Sequence, residues 1–286
     1  MEAEEALAFG PLVDPKWLTQ HLDEPDLVVV DVRWYLDGRS GRTAYDEGHI
    51  SGAVFCDLDS DLSATPSADT GRHPLPEPAD FAAAMGAVGI GDSTRVVAYD
   101  DTGGITAGRL WWMLDVLGRD VAVLDGGIDA WRQPLSRDEV DPDPALFTAG
   151  QWPSDRIMTK SEVFDALGSG LVILDARAEQ RYAHGGEVDP RPGHVPGARS
   201  APATDNLVDG RVASELALAE KYTSFGAADE PTVAYCGSGV SACIDLLAMR
   251  RAGLPDGRLF VGSWSAWGSD DSLPIEEGPD QGRPAV

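Results

Sequence analysis

The chain has 286 residues, which at roughly 150 residues per domain predicts about two domains. It carries 48 acidic and 22 basic residues, a formal net charge of -26, so we expect neither a nucleic acid nor an anionic membrane surface as a partner, because like charges repel. Three cysteines are too few for a disulfide framework, no apolar run is long enough to cross a bilayer, and the acidic N-terminus is unlike a secretory signal, so we expect a cytoplasmic globular protein.

Short apolar runs alternate with helical patterns from the start of the chain to its end. Runs rich in β-branched residues predict strands buried on both faces at 27–30, 96–99, 121–124, 171–174, 233–235 and 259–261. Apolar residues at helical spacing predict helices at 81–88, 107–117, 215–225 and 241–252. Strands that alternate with helices indicate an α/β fold with parallel, doubly wound sheets flanked by helices.

The second half of the chain repeats the first. Four patterns recur in the same order: Asp-x-Arg, Gly-His-[Ile/Val]-x-Gly-Ala, a strand ending in Ala-Tyr, and a Gly-Gly or Gly-Ser pair followed by Trp. We therefore predict a duplicated domain, with an N-terminal copy at 10–133 and a C-terminal copy at 157–286. The Pro-rich segment 134–156 between them is typical of an interdomain linker.

The loop that follows the strand at 233–235 contains a cysteine and two glycines. Cys236 comes directly after this strand, and in parallel sheets ligands bind at the carboxyl ends of the strands. Gly237 and Gly239 let the backbone curl so that several N–H groups point inward, where they and the following helix favour an anion on the Cys236 sulfur. The thiolate is the nucleophilic form of cysteine, so the pattern predicts that Cys236 is a catalytic nucleophile.

With these motifs the chain resembles the rhodanese superfamily, and in particular its tandem-domain sulfurtransferases, from about residue 12 to about residue 267. Its loop is similar to that of 3-mercaptopyruvate sulfurtransferases, with Ser241 where that branch usually has threonine. Thiosulfate sulfurtransferases usually have basic residues just after the cysteine, whereas Gly237 and Ser238 are neutral. The resemblance implies two rhodanese-like domains, of which the first is non-catalytic because Asp100 stands at the cysteine position and a carboxylate cannot carry sulfane sulfur.

The resemblance also implies which residues bind the substrate. These residues are Arg181, Arg191, Gly237, Gly239, Val240 and Ser241. An arginine offers a planar, bidentate fork to the carboxylate of a sulfur donor. A surface salt bridge is the alternative for Arg181, and the alignment of Arg191 stays open because the segment before Gly193 is shorter here than in some relatives.

A proton relay spanning both halves is the remaining site that the resemblance implies. Ser238 would act with His73 and Asp59, which lie in the first half. His73 belongs to a Pro-, Asp- and Ser-rich stretch, 62–78, that is longer than its counterpart in the second half. A solvent-exposed loop histidine is the alternative interpretation.

The predicted function is sulfur transfer without a metal or organic cofactor. Sulfur would move from 3-mercaptopyruvate, thiosulfate or both through a Cys236 persulfide to an acceptor, which would be cyanide, a small thiol or thioredoxin. A non-enzymatic sulfur-carrier or binding module is the main alternative. A phosphatase of the same fold is a weaker one, because its loop needs an arginine at position 242, where this chain has alanine.

Overall fold

The computed structural model describes residues 9–279 and contains two five-stranded parallel sheets. In the first sheet the strand order is β1-β5-β4-β2-β3, and in the second it is β6-β12-β11-β7-β8. The strands of the first sheet are Leu12–Val13 (β1), Leu27–Asp31 (β2), Val54–Phe55 (β3), Arg95–Tyr99 (β4) and Val121–Leu124 (β5). Those of the second are Ile157–Met158 (β6), Val172–Asp175 (β7), Arg199–Ser200 (β8), Thr232–Tyr235 (β11) and Arg258–Phe260 (β12).

The described residues also form helices and one antiparallel pair of strands. The helices of the first half are Pro15–His21 (α1), Gly41–Glu47 (α2), Pro78–Ala87 (α3), Ala107–Val116 (α4) and Gly127–Ala130 (α5). Those of the second half are Lys160–Asp165 (α6), Glu179–His184 (α7), Glu215–Ser224 (α8), Ala242–Arg251 (α9) and Ser263–Trp267 (α10). A 3-10 turn, Ala203–Asn206, precedes the hairpin strands Leu207–Val208 (β9) and Arg211–Val212 (β10).

The six strands and four helices predicted from the sequence are all present, with ends that differ by at most a few residues. The pattern missed the two-residue edge strands and the short helices, because elements of that length contain too few residues to show a period. The predicted α/β class, with parallel sheets flanked by helices, is confirmed.

Each sheet is covered on both faces, as its near-continuous apolar strands require. Alternate residues of β2 and β4 face opposite sides, so that Val30 and Ala98 pack with α3 and α4, whereas Val29 and Val97 pack with α1. In the second sheet one face packs with α8 and α9 and the other with α6, α7 and α10.

The two halves share one hydrophobic core. The cluster that covers one face of the first sheet continues through α4 and α9 to one face of the second. Gly108 permits this close approach of the helices, since a methyl group at that position would lie only 3.3 Å from the Ile244 amide nitrogen. A bidentate ion pair between Asp115 and Arg250, at 3.1 and 3.2 Å, also crosses the boundary. The halves are therefore held in a fixed relation by packing.

The segment 134–156 lies against the first half. The Ala145 amide donates a hydrogen bond to the Gly86 carbonyl, and the Trp152 indole donates one to the carbonyl of Pro76. The predicted domain limits of 10–133 and 157–286 enclose the two sheets, and residues 280–286 lie outside the described residues. Between residues 9 and 279, none of the helices has the length and apolar character that a membrane span requires.

Candidate active site

The central strand of each sheet ends at the same register. Tyr99 at the end of β4 pairs with Asp31 of β2, and Tyr235 at the end of β11 pairs with Asp175 of β7. The next residue, Asp100 in the first half and Cys236 in the second, therefore enters the loop at an equivalent place. This geometry places Cys236 at the carboxyl end of a central parallel strand, where a ligand site is expected.

The loop between β11 and α9 surrounds the Cys236 sulfur with backbone amides. The Gly239 amide lies 3.1 Å from Sγ and the Ser238 amide 3.5 Å, and both donate toward it. The Cys236 amide itself donates to the Ser263 hydroxyl, and the Cys236 carbonyl accepts from the Trp264 amide. The predicted inward-pointing amides are thus observed, and α10 holds the loop from behind. Amides fixed in this way stabilise a negative charge on sulfur.

Gly239 has a backbone conformation that produces this arrangement. Its φ is +78°, in the left-handed region, and a methyl group there would lie 2.4 Å from the Val261 carbonyl oxygen. Glycine is consequently required at position 239 for the amide to reach Cys236. Gly237, Val240 and Ser241 line the pocket in front of the sulfur, whereas Gly239 does not line it.

Ser238, His73 and Asp59 form a continuous hydrogen-bonded chain. His73 Nδ1 lies 2.8 Å from the Ser238 hydroxyl, and His73 Nε2 lies 3.1 Å from Asp59 Oδ1. An ionised carboxylate only accepts hydrogen bonds, so Nε2 carries the proton in the neutral ring and Nδ1 accepts from Ser238. Burial lowers the pKa of His73 below its usual value, and the nearby Asp59 only partly opposes this effect. The imidazole is therefore neutral near pH 7 and able to accept a proton.

Arg181 lines the pocket beside Cys236, as expected of a substrate-binding residue. Its guanidinium also makes two contacts with Asp189, Nη2 to Oδ1 at 2.6 Å and Nε to Oδ2 at 3.0 Å. Arg191, in contrast, does not line the pocket. Its guanidinium donates to the carbonyl groups of Asp270 and Leu273, both at 2.9 Å, so the structure assigns it to holding the C-terminal segment.

The pocket in front of Cys236 has a volume of about 280 Å³ and lies between the two halves. The first half contributes the apolar side chains of Trp34, Leu36 and Ile105 to its wall. It also contributes Arg72, which the sequence analysis did not single out. Arg72 directly precedes His73, and this proximity in sequence was the one signal available.

Arg109 is a second residue that the sequence analysis missed. It lies on α4, is fully buried, and donates to the carbonyls of Gly239, Leu62 and His73 at 3.0 to 3.2 Å. One guanidinium of the first half thus ties the catalytic loop to the loop that carries the histidine. The signal for it was a charged residue inside an otherwise apolar helical pattern.

Asp100 fills the equivalent loop of the first half. Its carboxylate accepts five hydrogen bonds, from the amides of Thr102, Gly104, Thr106 and Ala107 and from the Thr106 hydroxyl, at 2.8 to 3.0 Å. The amides of this loop are therefore occupied by the Asp100 carboxylate, whereas those of the second half surround the Cys236 sulfur.

The other two cysteines are buried and unsuited to nucleophilic chemistry. Burial raises the pKa of the Cys243 thiol to about 12 and that of Cys56 well above its usual value. Within residues 9–279 there is also no group of three His, Cys, Asp or Glu side chains placed to hold a metal ion. Of the three cysteines, all within the described residues, Cys236 is the one that lines the pocket.

Comparison with known proteins identifies the two halves. A family model described as the rhodanese-like domain matches residues 14–134 and again residues 159–270. A Pseudomonas aeruginosa protein named "Probable 3-mercaptopyruvate sulfurtransferase" is 42% identical, with 95% of this chain and 100% of the relative covered. The 3-mercaptopyruvate sulfurtransferase of Escherichia coli K12 is 32% identical, over 92% of this chain and 97% of its own length. The solved structure of 3-mercaptopyruvate sulfurtransferase from Leishmania major superposes with a TM-score of 0.81 at 31% identity, over 93% of this chain and 76% of the other.

Proposed function

Because this chain belongs to the rhodanese family and is a sulfurtransferase with two rhodanese-like domains, we propose that it takes sulfur from 3-mercaptopyruvate onto Cys236 and passes it to a thiol or to cyanide. Thiosulfate is the second donor. The observation that carries the proposal is the Cys236 sulfur held by two loop amides, next to the pocket-lining Ser238 of a relay. The amides favour the anionic sulfur that both half-reactions need, and the relay supplies a path for a proton.

The first half-reaction loads Cys236. The thiolate attacks the donor sulfur, an S–S bond forms, and the donor C–S bond breaks with its electron pair left on carbon as the enolate of pyruvate. The proton of the donor thiol passes through the Ser238 hydroxyl to His73 and returns from there to the enolate carbon. The products are a Cys236 persulfide anion and pyruvate, so atoms and charge balance.

The second half-reaction removes the outer sulfur from the Cys236 persulfide. A nucleophile such as cyanide attacks the outer sulfur of the persulfide, the S–S bond breaks, and the electron pair returns to Cys236 as thiolate. Thiocyanate forms from cyanide, and a thiolate acceptor, either a small thiol or a reduced thioredoxin, becomes a persulfide. No metal or organic cofactor enters this scheme.

We place the reaction in the cytoplasm. All three cysteines are free thiols in the structure, which is typical of a reducing compartment.

The decisive experiment follows sulfur loading with each donor. Wild-type protein treated with 3-mercaptopyruvate should release one pyruvate per chain and gain the mass of one sulfur atom, and Cys236→Ser should do neither. Retention of turnover by Cys236→Ser would show that another group is the nucleophile.

A matched pair of donors tests the relay. Loss of sulfite from thiosulfate breaks an S–S bond and needs no proton, whereas formation of pyruvate does. His73→Gln should therefore reduce kcat with 3-mercaptopyruvate by about 10²- to 10⁴-fold, the usual share of general acid–base catalysis, and affect thiosulfate much less. An equal loss with both donors would contradict the assigned role of His73.

A further inference from the structure

Two guanidinium groups converge above Gly237. A methyl group at this position would lie 2.8 Å from Arg72 Nη2 and 2.9 Å from Arg181 Nη2. Both side chains line the pocket that contains Cys236. Gly237 thus lets the two guanidinium groups, one from each half of the chain, pack directly against the catalytic loop at the edge of this pocket.

The charges of the two arginines differ in how far they are compensated. Arg181 is paired with Asp189, whose side chain is only 1% exposed and which also lies 3.6 Å from Arg177 Nη1. Among residues 9–279, no carboxylate forms an ion pair with Arg72. Burial lowers the pKa of Arg72 and the neighbouring Arg181 lowers it further, and Cys236 and Asp189 only partly oppose this effect. The negative charges that act on Arg72 are thus Asp189, which is already paired with Arg181, and the Cys236 sulfur.

Arg72 is also held in place. Its Nη1 donates to the Val188 carbonyl of the second half, and its backbone amide donates to the Ser265 hydroxyl at 3.0 Å. The preceding Gly71 approaches the Gly262 carbonyl so closely that a methyl group would lie 2.5 Å from its oxygen. The loop from the first half is therefore docked on the second. Arg72 Nη1 has a hydrogen-bond acceptor there, and Nη2 lies beside Gly237.

On the basis of the proposed function, we infer that Arg72 binds the carboxylate of the 2-oxo acid donor together with Arg181. It occupies the role for which the sequence resemblance indicated Arg191. A carboxylate in the pocket that both arginines line would accept hydrogen bonds from the two guanidinium groups, and charge-assisted bonds of this kind are among the strong ones. The non-catalytic half then supplies part of the donor site and not only the relay.

This assignment explains the neutral residues that follow Cys236. The site does contain cations, but they belong to Arg72 and Arg181, which the fold brings beside Gly237, and not to the residues that follow Cys236 in sequence. A side chain at position 237 would push these two guanidinium groups away from the loop.

The test compares 3-mercaptopyruvate with mercaptoacetone, which is the same thiol with a methyl group in place of the carboxylate. Arg72→Gln should lower kcat/KM for 3-mercaptopyruvate relative to mercaptoacetone by about 10- to 100-fold, which corresponds to the loss of one hydrogen bond between charged groups. The loss should appear mainly in KM. A second readout needs no turnover of mercaptoacetone: the inhibition constant of the product pyruvate, which carries the same carboxylate, should rise to a similar extent.

Two control variants separate this role from a general effect of charge or stability. Arg42→Gln removes an exposed positive charge from the same half and should leave the donor ratio unchanged. Arg191→Gln should lower the Tm, because two carbonyls lose their donor, and should also leave the ratio unchanged. A ratio and a pyruvate constant in Arg72→Gln within twofold of wild type, or a fall in the ratio with Arg191→Gln instead, would overturn the inference. Failure of wild-type protein to release pyruvate would overturn the proposed function itself, which is a distinguishable result.

Discussion

Gly237 and Gly239 are two positions apart in the same loop, but different constraints require each of them. At position 239 the backbone is left-handed, and a methyl group would meet the Val261 carbonyl at 2.4 Å. At position 237 the atoms that a methyl group would meet are guanidinium nitrogens of Arg72 and Arg181 and not backbone atoms. Glycine at position 239 therefore supports the fold of the loop, and glycine at position 237 lets the two guanidinium groups pack against it.

Alanine substitutions should separate these two roles. Gly237→Ala should lower the Tm less than Gly239→Ala does, because guanidinium groups shift more readily than backbone atoms, and should raise KM for 3-mercaptopyruvate because the two cations are displaced. Gly239→Ala should lower both the Tm and kcat, because backbone atoms must shift and the amide that donates to Sγ is displaced. Thermal unfolding and steady-state kinetics on the two variants measure both effects. A lower Tm for Gly237→Ala than for Gly239→Ala would contradict this division.

At the scale of elements, helix α9 contributes a buried carboxyl group as well as the wall behind the catalytic loop. Asp245 is fully buried, and its Oδ1 accepts hydrogen bonds from Asn206 and from the hydroxyl of Tyr222. Its Oδ2 has no hydrogen-bond partner. Burial raises the pKa of Asp245 from 3.8 to about 6, with Lys221 partly opposing the effect. The helix therefore carries a negative charge at pH 7 at some cost in stability.

The variant Asp245→Asn should be more stable than wild type at neutral pH. Because the pKa in the folded state lies above that in the unfolded state, folding favours the protonated form. The free energy of unfolding of the wild-type protein consequently falls as pH rises from about 4 to about 6. A difference of about two pKa units between the folded and unfolded states corresponds to a fall of roughly 3 kcal/mol.

Denaturant unfolding at several pH values measures this difference. The free energy of unfolding of Asp245→Asn should exceed that of wild type above pH 6, and the difference should vanish below about pH 4. Asp271→Asn, which removes an exposed carboxylate, is the control for net charge. An equal gain from both variants would show that burial of Asp245 is not the cause.

On the scale of the whole molecule, charge is the dominant feature. A net charge of -26 on 286 residues makes the folded chain repel itself, because folding concentrates the carboxylates. Salt shortens the range of this repulsion, from a Debye length of about 30 Å at 0.01 M to about 3 Å at 1 M. Ion pairs between the halves, such as Asp115 with Arg250, are weakened by the same screening, but they are few compared with the excess of acidic residues.

Raising NaCl from low concentration to 1 M should therefore raise the Tm. The same change should raise KM for 3-mercaptopyruvate, because the attraction between its carboxylate and the two arginines is screened as well. Thermal unfolding and kinetics over one salt series measure both. A Tm that falls with salt would indicate that ion pairs outweigh the repulsion, and the neutral donor mercaptoacetone is the control for the effect on KM.

The sequence by itself determined the duplicated α/β architecture and the loop around Cys236. Both are local properties: the period of apolar residues sets each element, and the glycines beside the cysteine set the direction of its amides. The loss of the cysteine in the first half was equally visible, since Asp100 occupies the matching position after a matching strand.

Only the tertiary structure decided which residues complete the site. His73 meets Ser238 across 165 positions, and Arg109 meets the carbonyl of Gly239 across 130. Arg72 reaches Gly237 in the same way, whereas Arg191, which the resemblance indicated, holds the C-terminal segment instead. The physical reason is that these contacts depend on how α4 packs on α9 and how the loop of one half docks on the other. No pattern within a short stretch of sequence records that packing.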